Sequence, residues 1–73
     1  MPLIHHGQTN NEDYIRYARS RLRAFLDACK IPCHVTVVNG DEGMLLAVSM
    51  LGMDPADIEN IPHQVDGILV MLI

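Results

Sequence analysis

A small α/β domain is predicted by three features of this chain. A helical apolar stripe follows a capping signal over residues 10–29, a β-branched alternating run spans 33–38, and an apolar run spans 68–73. In sequence order the elements read β-α-β-α-β, a three-stranded sheet with a long first helix. The alternative is an α+β arrangement in which residues 33–50 form a hairpin. With 73 residues the chain allows one domain, 1–73. A domain of that size buries only about 60% of the surface its unfolded chain exposes, so it is expected to need help from disulfides, a metal or self-association.

Taken in order, residues 3–6 suggest a short strand. Thr9-Asn10-Asn11-Glu12 reads as a capping box, the Thr9 hydroxyl accepting from the Glu12 N–H and the Glu12 carboxylate reaching back. Ile15, Ala18, Leu22, Phe25, Leu26 and Cys29 then share one helical face. Pro32 ends this helix, predicted over Asn10–Cys29, and Ile31 before it is pushed toward an extended backbone. In 33–38, Cys33, Val35 and Val37 face one way and His34, Thr36 and Val38 the other. Asn39-Gly40-Asp41-Glu42-Gly43 is a turn.

Met44 to Leu51 fits two readings: a return strand across Asn39-Gly40, or a helix opened by Asp41 and Glu42 and closed by Gly52. Leu, Met and Ala dominate it, which favours the helix. Asp54 with Pro55 starts a short helical turn through Asn60. After Asp66-Gly67, Ile68 to Ile73 is apolar on both faces and reads as a strand with cover on both sides. Parallel pairing is expected where helices separate strands.

Composition narrows the function classes. Net charge is −4, which argues against a nucleic-acid binder, whose contacts need a basic surplus. The N-terminus carries no basic region followed by an apolar core, so no signal peptide is read there, and no apolar run is long enough to span a bilayer. With two cysteines, Cys29 and Cys33, no disulfide scaffold is expected, and a reducing cytoplasm is the expected compartment.

The apolar content exceeds what two helices and a small sheet can cover. The segment 44–51, read as a helix, is apolar nearly all round, and the last strand needs two covering layers. Tyr14, Tyr17, Ala24 and Ala28 add a second apolar arc to the first helix, with Arg21 beside the tyrosines. A homo-oligomer that also engages another protein is the expectation. Its predicted contact residues are Tyr14, Tyr17, Arg21, Leu45, Leu46 and Met50. The expected role is a non-catalytic regulator, adaptor or phage-type inhibitor.

Three further patterns are less specific. Arg16, Arg19 and Arg23 lie on one side of the helix and suit an anion or acidic partner, yet Glu12–Arg16 and Arg23–Asp27 sit four apart and read more simply as pairs within a solvated face. His5, His6, Cys33 and His34 are metal-ligand types without a metal-site spacing, and Cys29 belongs to the apolar stripe. No cofactor is expected. Catalysis is the runner-up class: Cys33 or Ser49 would need a histidine and an oxyanion donor at a site between subunits, near His34 and the 39–43 loop.

Overall fold

The computed structural model describes residues 4–73. It holds β1 (Ile4–His5), β2 (Gln8–Thr9), α1 (Glu12–Ala28), β3 (Val35–Gly40), β4 (Gly43–Val48), α2 (Pro55–Ile58), β5 (Gln64–Val65) and β6 (Ile68–Leu72). The result is a mixed α+β domain, one long helix on a curled six-stranded sheet. The predicted strand at 3–6 appears as β1, with Leu3 outside the described residues.

The main correction concerns residues 44–51. They form no helix: β4 is the central strand, antiparallel to β3 with Val35 opposite Val48 and Gly40 opposite Gly43. The hairpin turn is therefore Asp41-Glu42, inside the turn expected at 39–43 but two residues beyond the Asn39-Gly40 turn of the hairpin alternative. Gly43 explains the shift. Its φ is +138°, and a Cβ there would lie 2.8 Å from the Thr9 carbonyl, so glycine alone lets β2 approach β4 this closely. Helix propensity loses because pairing on both sides buries Leu45, Leu46, Ala47 and Val48 in succession, which a surface helix of that length could not do.

On its other side β4 pairs with β2 at Met44 and with β6 in parallel, Leu46 opposite Val70 and Val48 opposite Leu72. The three-stranded β-α-β-α-β sheet is thus replaced by a sheet in which a hairpin and a parallel crossover share one central strand.

The cap of α1 also differs from the capping box. Asn11 is the N-cap, its Oδ1 accepting the Tyr14 N–H at 2.9 Å. Thr9 is committed to β2, fully buried, and its Oγ1 accepts the Asn11 N–H at 3.1 Å. At the other end Lys30 adopts φ +60°. Lys30 N–H donates to Asp27 O and Ile31 N–H to Leu26 O at 2.9 Å, the paired bonds of a Schellman stop. The helix ends there, before Pro32 can break it.

Ile15, Ala18, Leu22 and Leu26 of α1 cover one sheet face, where Val35, Leu46, Val48, Ile68 and Val70 complete the core with Ile31 and Ile61. Residues two apart share a face, so Val38, Leu45, Ala47, Leu69, Met71 and Ile73 lie on the other. Leu45 is sheltered there because the Gln8 side chain converges with it over Gly40, whose missing Cβ leaves the space. Leu69, Met71 and Ile73 remain exposed.

Candidate interaction surfaces

At 100° per residue α1 has two flanks beside its core stripe. One carries Tyr14, Tyr17, Arg21 and Phe25. The other carries Glu12, Arg16, Arg19, Arg23 and Asp27.

The aromatic flank faces the crossover that leads into β6. Tyr14 and Tyr17 stack obliquely, ring centroids 6.4 Å apart. Arg21 ties three groups together: its Nη1 donates to the Tyr17 hydroxyl at 3.3 Å, its guanidinium lies 5.6 Å from the Tyr17 ring centre, and its Nε is 3.0 Å from Asp66 Oδ2. The Tyr17 hydroxyl, and after it Asp66, raise the Arg21 pKa above its usual value. Tyr14 donates its hydroxyl to the Asp66 carbonyl, and its ring packs against the core. Asp66 takes φ +52° in the β5–β6 turn. The three residues singled out from sequence are thus gathered in one place, but Tyr14 and Arg21 hold that turn against the helix. Tyr17 and Phe25, 53% and 46% exposed, are what this flank offers to solvent, together with the outer part of the Arg21 side chain. Phe25, assigned to the core stripe by its spacing, lies at that stripe's edge.

Leu45 and Leu46 are corrected as contact residues: both are buried, on opposite faces of β4. The helical reading put them on an outer surface that a central strand does not have. Met50, just past β4, is partly exposed, and its N–H donates to Ile73 O at 2.8 Å. Sequence reasoning passed over Leu69, Met71 and Ile73 individually. The alternation within an all-apolar strand would have found them, had one covering layer been assumed.

The arginine flank lies along the start of β3. Arg19 Nε donates to Val35 O at 3.1 Å, and Arg23 donates to Cys33 O. Arg23 also reaches Asp27 at 3.7 Å. Among the described residues Arg16 has no acidic group within ion-pair distance, so the expected Glu12–Arg16 pair is not formed. Arg16, Arg19, Arg23 and His34 line a shallow depression with Val35 at its floor.

The predicted metal ligands are not brought together. His5 and His6 precede β2, which meets β4 at Met44, whereas Cys33 and His34 precede β3, which meets β4 at Val48. Four strand residues separate these ends by roughly 13 Å. Among the described residues no group of three His, Cys, Asp or Glu side chains is placed to hold a metal. His6 instead lies 3.6 Å from Glu42. Cys29 and Cys33 are free thiols, and partial burial raises the Cys33 pKa while the nearby Arg23 charge opposes the shift. Within one chain, His34 and Cys33 also sit at the far end of β3 from the 39–43 loop.

These features define a class: a small α+β domain with one long helix on its sheet, apolar residues exposed on β6, and, among the described residues, an edge strand, β3, paired on one side. The chain matches no protein-family model, no curated protein and no solved structure. Among the described residues no helix is long and apolar enough to cross a membrane.

Proposed function

We propose that this chain is a small non-catalytic protein-binding module that works as a homo-oligomer, in the manner of a regulator, adaptor or inhibitor. The observation that carries the reading is the state of β6. Ile68 and Val70 are buried in the core with α1, while Leu69, Met71 and the following Ile73 are 36%, 37% and 57% exposed on the opposite face, and Leu72 at the strand's end is exposed on the core side. An exposed apolar strand surface of this kind suits a contact site. A cytoplasmic setting agrees with two cysteines that form no disulfide with each other.

The test compares the wild-type chain with a Leu69→Glu, Met71→Glu double variant. Native mass spectrometry reports the subunit count, and affinity capture reports partner proteins. The reading expects an oligomer and at least one captured protein that the double variant loses while keeping its circular dichroism. A wild-type chain that is a bare monomer and captures the same proteins as the double variant overturns it.

A further inference from the structure

Among the described residues β3 pairs on one side only, with β4. Its outer edge reads Val-Thr-Val-Val-Asn-Gly, six residues without lysine, proline or a bulge to protect it. The hairpin closes with Gly40 opposite Gly43 across a two-residue turn, so Val38 and Thr36 bond to β4 while Val35, Val37 and Asn39 direct their backbone groups outward. The Arg19 bond to Val35 O shows that parity directly, because that carbonyl is free to meet the helix. With Val35 O occupied, the N–H and C=O groups of Val37 and Asn39 are left, symmetric about Val38. Val37 and Asn39 are both exposed.

The edge is also charged in opposite senses at its two ends. Arg19 and Arg23 lie at its start, bonded to Val35 O and Cys33 O. Glu12, Asp41 and Glu42 gather at its end. An antiparallel two-fold turns one end onto the other, so this pattern complements itself.

We infer that two copies of this chain pair antiparallel through β3 with the two-fold axis at Val38. Val37 of each copy then bonds Asn39 of the other, and the Arg19–Val35 end lies beside the partner subunit's Asp41. The contact places His34 and Cys33 next to the partner subunit's turn as well, joining regions that one chain keeps apart. The two sheets become continuous, and the exposed faces bearing Met71 form one larger surface. This assigns the self-association within the protein-binding reading and rests on it.

The register is tested by Val38→Cys in a Cys29→Ser, Cys33→Ser background. Facing residues of a non-hydrogen-bonded antiparallel pair have Cα atoms about 4.5 Å apart, within disulfide reach, so mild oxidation should give a covalent dimer. The charge pattern is tested by sedimentation equilibrium. Asp41→Arg with Glu42→Arg should weaken the dimer by about tenfold or more, and adding Arg19→Glu to the same chain should recover most of that loss. Circular dichroism confirms that each variant is folded. A dimer that ignores these substitutions and resists the Val38 cross-link, yet is lost on Met71→Glu, overturns the edge pairing and leaves the protein-binding reading standing. A chain that stays monomeric while an acidic extended peptide protects the Val37 and Asn39 amides from hydrogen exchange also overturns it, in favour of a foreign strand on the same edge.

Discussion

Arg19 of α1 closes the first outward acceptor of β3, its Nε donating to Val35 O at 3.1 Å. The bond ties the helix to the edge strand. Arg19→Ala should lower stability by about 0.5–1.5 kcal/mol, the net worth of one such bond. Arg19→Lys should recover little of it, since an ammonium lacks the planar N–H that meets this carbonyl. Urea midpoints for the three proteins measure both effects. Equal midpoints for wild type and Arg19→Ala would mean that the bond does not help to seat α1.

Leu46 is fully buried at the centre of β4, between Val37 and Val70. Leu46→Ala should cost about 2–5 kcal/mol, the lost transfer energy plus a cavity. In a domain of this size that leaves little or no folded population. Met71→Ala, on the exposed face of the adjacent strand, should change the monomer's stability far less. Thermal unfolding of the two variants separates them. Similar losses would mean that the face opposite α1 is covered after all.

Two glycines with positive φ should respond differently to a methyl group. At Gly43 an added Cβ meets the Thr9 carbonyl carbon and oxygen at 2.8 Å with φ at +138°. Gly43→Ala therefore forces β2 away from β4 and should unfold the domain or shift its melting point steeply. At Gly52, φ is +74° and nothing lies within 4 Å. Gly52→Ala should cost about 1 kcal/mol, the left-handed backbone alone. The difference in melting temperature between the two variants is the measurement.

The two thiols should differ in reactivity. Burial raises the Cys33 pKa, so at a given pH it carries less thiolate than an unshifted cysteine. Cys29 is exposed. Alkylation followed by mass spectrometry should modify Cys29 first, with Cys33 catching up as pH rises. The linkage has the matching sign: a raised folded-state pKa stabilises the fold below the unfolded value and loses that contribution as pH climbs through the folded one. Faster modification of Cys33 near neutral pH would contradict the burial.

Several features were legible in the residues because their causes are local. The apolar period of α1, the Asp54–Pro55 helix start and the β-branched run of β3 each need only neighbours in sequence. The Asp54 side chain does cap α2, accepting the Ala56 N–H at 3.0 Å. The α1 cap shows where local reading fails. Thr9 and Asn11 are both good caps, and only the pairing of Thr9 with Met44 in the sheet leaves Asn11 as the one that caps.

What the residues determined by themselves is therefore the local elements: the long first helix with its two flanks, the β-branched strand that becomes β3, a turn within 39–43, and the short Asp54–Pro55 helix. What tertiary structure decided is how the elements pair. Met44 to Leu51 carries an apolar run too short to distinguish helix from strand, and its partners β3, β2 and β6 come from both ends of the chain. Strand pairing is non-local, so β4 became the centre of the sheet only when those partners met. The same event set aside the expected contact residues Leu45 and Leu46 by burying them. It also left the outward backbone groups of β3 at Val37 and Asn39 open and the outer face of β6 partly exposed, because a single 17-residue helix packs on only one side of a sheet.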